Sequence, residues 1–131
     1  MPETAILCVD DEVVILESLK EQLKRCLGTD YLYEMAESPT EALEILEDLD
    51  LDNVKTLLIV SDWLMPGMKG DEFLIAVHKK FPEITTVMLT GQADEDAIDR
   101  AKKEANLFHC LRKPWTEEEL TQVIRAALDN S

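Results

Sequence analysis

At 131 residues and 46% hydrophobic content, the chain suffices for one core and is too short for two, and the composition is that of a globular protein, so disorder is not the default reading. A net charge of −15, from 28 acidic and 13 basic residues, sets the surface against nucleic acid and anionic lipid as direct partners. No apolar run approaches the roughly 20 residues of a membrane span, and Met1-Pro2-Glu3-Thr4 lacks the basic start of a signal peptide, so a cytoplasmic location is expected. Three cysteines (Cys8, Cys26 and Cys110) without C-x-x-C spacing or paired histidines give neither a disulfide framework nor a zinc site, and are expected to be buried, reduced thiols.

Short strand-like runs alternate with longer helical ones. Thr4 to Val9 is apolar and ends abruptly at Asp10-Asp11-Glu12; from Val13 the period changes, with Leu16, Leu19, Leu23 and Cys26 on one helical face and Gly28 as a stop. Tyr31 to Ala36 predicts a second strand. Ser38, with Pro39 next and Glu41 three residues on, predicts the capped start of a helix carrying Ala42, Leu43, Leu46 and Leu49 on one side. The polar stretch Asp48 to Lys55 predicts an exposed loop. Leu57 to Ser61 is continuously apolar, as a strand covered on both faces should be. Pro66, Gly67 and Gly70 mark a loop, followed by a helix over Asp71 to Lys80 that ends before Pro82. Ile84 to Leu89 predicts the fourth strand, Ala97, Ile98, Ala101 and Ala105 a thin stripe on the fourth helix, and Leu107 to Arg112 the fifth strand. Thr116 caps a last helix with Leu120, Val123, Ile124, Ala127 and Leu128 on its apolar face. The pattern predicts one α/β domain over residues 1–131, a five-stranded parallel sheet flanked by five helices.

Ligands of open parallel sheets bind beyond the carboxyl ends of the strands. Asp10, Asp11 and Glu12 follow strand one, Asp62 follows strand three, Thr90 and Gly91 strand four, Lys113 and Pro114 strand five. Singly each has an ordinary structural role, as a cap, a turn former or a solvated charge. Together they bring carboxylates, a hydroxyl and an ammonium to one sheet edge. Converging carboxylates repel unless protonated or bridged by a cation, and Mg²⁺, a hard ion satisfied by oxygen ligands, fits them. A carboxylate in such a setting can attack phosphorus to give an aspartyl-phosphate, with Mg²⁺ and Lys113 offsetting the charge.

Over essentially its whole length the chain resembles a receiver domain of a two-component response regulator, through Asp10-Asp11, Asp62 in Asp62-Trp63-Leu64-Met65-Pro66-Gly67-Met68-Lys69-Gly70, Thr90 and Lys113-Pro114. The resemblance implies a flavodoxin-like sheet of order 2-1-3-4-5, with Asp62 as phosphoacceptor. It implies a Mg²⁺ held by Asp11, Asp62 and the Leu64 carbonyl, with Asp10 acting through water. Thr90 is implied as the switch hydroxyl, Lys113 as the phosphoryl contact, a cis Lys113-Pro114 bond, and Leu64 and Gln92 as positions that tune phosphoryl lifetime. The implied partners are a sensor histidine kinase or phosphotransfer protein and an effector domain or separate output protein, the chain being a signalling module and not an enzyme.

One position departs from the family pattern. Three residues before the lysine, where Tyr or Phe is usual, stands Cys110. Phe108, two residues away, is expected to share its strand face, and the response is then expected to rest on Thr90 and the fourth helix. His109 is expected on the opposite face, unable to share a ligand with Cys110. Two alternatives remain: a degenerate receiver that only binds partners, which Cys110 favours and the intact Asp11, Asp62, Thr90 and Lys113 oppose, and a Mg²⁺-dependent aspartyl-phosphate phosphatase, whose two aspartates would flank one residue instead of standing adjacent.

Overall fold

The computed structural model describes residues 3–63, 68–91, 95–105, 107–113 and 115–129. Within them strands and helices alternate: β1 (Thr4–Val9), α1 (Val13–Leu27), β2 (Leu32–Ala36), α2 (Pro39–Leu51), β3 (Lys55–Asp62), α3 (Gly70–Lys80), β4 (Thr85–Thr90), α4 (Glu95–Glu104), β5 (Leu107–Arg112) and α5 (Glu117–Asp129). All pairings are parallel and the order is β2-β1-β3-β4-β5, the sheet that the resemblance implies. Predicted and observed boundaries differ by one or two residues at most elements.

The sheet is covered on both faces, which is why its central strands are apolar without alternation. Ile6, Cys8, Leu58, Val60, Val87, Leu89 and Leu111 face Leu16, Leu19 and Leu23 of α1 and Leu120, Ile124 and Ala127 of α5. Leu7, Val9, Ile59, Met88 and Leu107 face α2, α3 and α4, among them Leu46, Phe73, Leu74, Val77, Ile98 and Ala101. The α4 contribution is the thin stripe predicted, with Ala105 buried one residue beyond the helix and the Ala97 side chain outside the described residues. Among the described residues no helix is long and apolar enough to cross a membrane.

Local chemistry sets the helix ends. The Glu41 amide donates to Ser38 Oγ at 3.1 Å, closing the predicted cap of α2. At α5 the exchange is reciprocal: the Glu119 amide donates to Thr116 Oγ1 at 3.1 Å and the Thr116 amide to Glu119 Oε1 at 3.3 Å. Gly28 ends α1 with φ 78°, a conformation that costs a side-chain-bearing residue about 1 kcal/mol or more, and its amide donates to Lys24.

Two expectations are corrected. The first half of the predicted loop over Asp48 to Lys55 is helix. α2 runs to Leu51 and the connection is short, because Asn53 adopts φ 61° and the Val54 amide turns back to the Leu49 carbonyl at 2.8 Å. The acidic residues that suggested a loop lie on the solvent side of the helix. Second, Phe108 does not share a face with Cys110. The β4–β5 register shifts from Thr86↔Leu107 to Val87↔His109, making Phe108 an extra residue in β5. Cys110 therefore packs on the α2–α4 side and Phe108 on the α1–α5 side, with His109 exposed.

The cysteines are free, as expected, but only Cys8 is fully buried; Cys26 and Cys110 are half-buried. Burial pushes the Cys8 thiol up to about 12, which keeps it protonated and unreactive.

Leu19 is fully buried in the α1–α5 face, whereas Ser38 contributes a surface cap. Urea unfolding should show Leu19→Ala losing about 3 kcal/mol, the range for a buried leucine truncation, and Ser38→Ala about 1 kcal/mol. Equal losses would contradict the packing described.

Candidate functional site

The register of the sheet assembles the site. Val9 pairs with Ser61, so Asp10 and Asp62, each one residue further on, emerge side by side from β1 and β3. Asp62 pairs with Leu89, and Thr90 with Arg112, which puts Thr90 and Lys113 at the same edge. Pairing continues into the loops: the Trp63 amide donates to Leu89 at 2.9 Å, the Asp10 amide to Ala36 at 3.1 Å, and the Lys113 amide to Thr90 at 2.8 Å. The site therefore stands on backbone held by the sheet.

Three carboxylates meet there. Asp10, Asp11 and Asp62 each offer an oxygen within 4.8 Å of the others, the one such acidic group among the described residues. Asp10 is fully buried and Asp62 is 5% exposed, while Asp11 faces solvent. The Glu12 amide donates to Asp10 Oδ1 at 2.9 Å, so Asp10 also steadies the start of α1, the ordinary role of an Asp after a strand. Lys113 Nζ lies 3.1 Å from Asp62 Oδ1 and 3.5 Å from Asp10 Oδ2, bridging the two buried carboxylates.

The charges do not balance internally. Three carboxylates against one ammonium leave two negative charges in a partly dehydrated edge. Burial pushes the Asp10 carboxyl up from 3.8 to about 6, opposed by the Glu12 amide and Lys113 and reinforced by Asp62 and Asp11. Burial also raises Asp62, against the hydrogen bond and charge of Lys113. The Lys113 ammonium is stabilised by Asp62 and Asp10 beyond what burial takes away, so its pKa rises. An all-oxygen donor set with two surplus negative charges fits a hard divalent cation.

Of the residues singled out from sequence, the fold brings Asp10, Asp11, Asp62 and Lys113 together. Thr90 is buried at the end of β4. By alternation from Met88 it continues the α2–α4 face, the side of Cys110, whereas Asp62 follows Val60 on the other. Leu64, Gln92, Pro114 and the Pro66-Gly67 turn lie outside the described residues. A feature that the sequence reading missed is Trp63. It follows Asp62 in the chain and is buried on the α2–α4 face, with Lys69 Nζ 5.3 Å from the ring centroid. Only the shared loop of Trp63 and Lys69 hinted at that contact.

Comparison with known proteins places this geometry. The model described as response regulator receiver domain matches residues 6–125. The chain is 28% identical over 127 residues to the hydrogenase transcriptional regulatory protein HoxA of Cupriavidus necator, covering 97% of this chain and 24% of that protein. It is 30% identical over 125 residues to the chemotaxis protein CheY1 of Helicobacter pylori, covering 94% of this chain and 95% of the relative. The crystal structure of the signal receiver domain of an HD domain-containing protein from Pseudomonas fluorescens matches with TM-score 0.84 at 31% identity, covering 99% of this chain and 90% of that one. The chain thus spans about a quarter of the hydrogenase regulators that it matches and nearly all of the chemotaxis protein.

A carboxyl at about 6 when folded and 3.8 when unfolded keeps its proton only in the folded chain between those values. Without divalent metal, stability should therefore fall as pH rises from about 4 to about 6, by on the order of 2–3 kcal/mol, and level off above. Asp10→Asn should flatten that slope and stabilise the metal-free chain at pH 7.5. Urea unfolding in chelator across this range checks both; an unchanged slope in the variant would contradict the assignment to Asp10.

Proposed function

The chain belongs to the response regulator receiver domain family, and on that premise we propose that it carries a phosphoryl group on Asp62 and signals by the change that follows. The observation that carries this reading is a buried Asp62 with Lys113 at 3.1 Å and two further carboxylates beside it. A side chain kept for stability alone gains nothing from such crowding.

In the proposed transfer a sensor histidine kinase or phosphotransfer protein presents a phosphohistidine. An Asp62 carboxylate oxygen attacks phosphorus, the O–P bond forms as the P–N bond breaks, and the imidazole leaves with the electron pair and takes a proton from water. Asp11 and Asp62 would hold Mg²⁺ directly and Asp10 through water, with the Leu64 carbonyl as the further ligand that the resemblance implies. When bound, the ion supplies positive charge against the phosphoryl oxygens. Lys113 supplies the rest from within the chain and aligns the attacking carboxylate through its bond to Asp62. Asp10 holds Lys113 from the other side and keeps it at the site when Asp62 is modified.

Phosphorylation gives Asp62 more negative charge and new acceptor oxygens. Lys113 is drawn to them, and its amide bond to the Thr90 carbonyl ties that movement to the end of β4. Thr90, set on the other face, would turn its hydroxyl toward the phosphoryl group, leaving room near Cys110 and α4. With Phe108 on the far side of the sheet, no aromatic side chain of β5 is placed to follow Thr90, and the shift passes to α4 itself. A partner or effector domain then reads the change in population. The chain acts in this reading as a signalling module, with the acyl phosphate as its signal.

Incubation with Mg²⁺ and acetyl phosphate, followed by intact mass, tests the proposal. A phosphoryl-sized gain, absent in Asp62→Asn and in chelator, is expected, and Lys113→Ala should slow it by at least about 100-fold, as loss of a charge-stabilising donor does. No gain in the unmodified protein would favour a receiver that only binds partners.

A further inference from the structure

The domain's negative charge is unevenly spread. Between Arg25 and Lys55 the sequence carries nine Asp and Glu residues and no Lys, Arg or His. These residues build β2, α2 and their flanks, so one side of the domain carries a surplus of negative charge, with Lys80 of α3 paired to Glu47. β2 is also an edge strand, laddered only to β1.

A groove of about 710 Å³ opens there, between β2 and the C-terminal half of α2. Leu32, Ile45, Leu49 and Val54 form its apolar part, and Glu3, Glu34, Asp48 and Asp52 its charged part, with no cation among the lining residues. Leu51, one residue from Asp52, is 80% exposed, the most exposed large apolar side chain among those described. The groove lies toward the amino ends of the strands, near Glu3, Leu32 and Val54, and so at the opposite edge of the sheet from Asp62.

We propose that this groove docks an extended, cationic segment of a partner protein, added beside the open edge of β2, with apolar side chains over Leu32, Ile45 and Leu49 and Lys or Arg against Glu34, Asp48 and Asp52. Each part of the occupant follows from the groove. An edge strand offers unpaired backbone groups to an extended chain, and alternate side chains of that chain enter the groove. A single metal ion does not fit, because the four rim carboxylates do not converge as Asp10, Asp11 and Asp62 do. Nucleic acid, anionic lipid and a second copy of this chain all bring negative charge to a negative face. A basic, partly apolar segment satisfies both the charge and the floor. The attachment is independent of phosphorylation, and would hold a partner near while the opposite edge of the sheet switches.

The test uses a short end-blocked peptide of repeated Lys-Ser-Val-Ser, which presents lysine and valine on one strand face, titrated by fluorescence anisotropy at about 0.15 M salt to keep long-range attraction screened. Its counterpart, a lysine–serine peptide, has serine in place of each valine. Glu34→Lys with Asp48→Lys should weaken binding of the first peptide by at least about tenfold, and Glu34→Gln with Asp48→Asn by less. Glu17→Lys with Glu21→Lys, an equal change of net charge on the exposed side of α1, should weaken it about twofold or less. Amide shifts on binding should be confined to β2, α2 and their flanks, Asp62→Asn should bind as the unmodified chain, and the groove variants should still take phosphate from acetyl phosphate. Equal weakening by both reversals, equal binding of the lysine–serine peptide, or no saturable binding below about 1 mM would overturn the proposal, leaving the acidic edge as a guard against strand pairing.

Discussion

Three carboxylates and one ammonium share the carboxyl edge of this sheet, and most of the molecule's functional geometry answers to that arrangement. Asp10 and Asp62 are buried on neighbouring parallel strands, where neither can swing into solvent to escape the other. Lys113 touches both and neutralises one charge between them. Two negative charges remain, and burial, reinforced by Asp62 and Asp11, holds the Asp10 carboxyl at about 6. A fold that only needed stability would fill this edge with apolar side chains. The surplus is the natural complement of a divalent cation, and under the proposed function the incoming phosphoryl group meets the same ammonium that now bridges the two carboxylates.

The sheet makes this arrangement rigid and also sets where it can move. Register pairs place Asp10 beside Asp62, and backbone bonds from Trp63 and Lys113 extend the pairing beyond the strand ends. Under the proposed function the response falls to Lys113 and to Thr90, whose carbonyl accepts from the Lys113 amide. The bulge at Phe108 removes an aromatic from the Thr90 side of β5 and leaves Cys110 there, half-buried. Under the proposed function, coupling to α4, which contributes only Ile98 and Ala101 to the core from its described side chains, would then be looser than a packed aromatic would make it.

Much of this was legible in the amino-acid sequence, because its signals are local. The change of period at Asp10-Asp11-Glu12, the caps at Ser38 and Thr116 and the apolar run ending at Asp62 mark strand and helix ends directly. In a parallel sheet those ends are also where ligands sit. What could not be read depends on contacts between distant residues. The extra residue in β5 breaks the alternation from which Phe108 and Cys110 were placed together, and no residue type at that point announces a bulge. The acidic tail of α2 reads as loop, since a helix whose outer face is mostly acidic looks like solvated chain until its inner face finds Leu46 and Leu49 in the core. The Lys69 contact with Trp63 and the β2–α2 groove join residues that only the folded chain brings together.

The central claim is that the surplus charge at Asp10, Asp11 and Asp62 is matched by one divalent cation. Calorimetric titration of the chelator-treated protein with Mg²⁺, repeated on Asp11→Asn and Asp62→Asn, measures it most directly. The account predicts one ion per chain, with affinity reduced by well over tenfold, roughly, in each variant. Absence of binding in the unmodified chain, or an affinity in either variant equal to that of the unmodified chain, would contradict it.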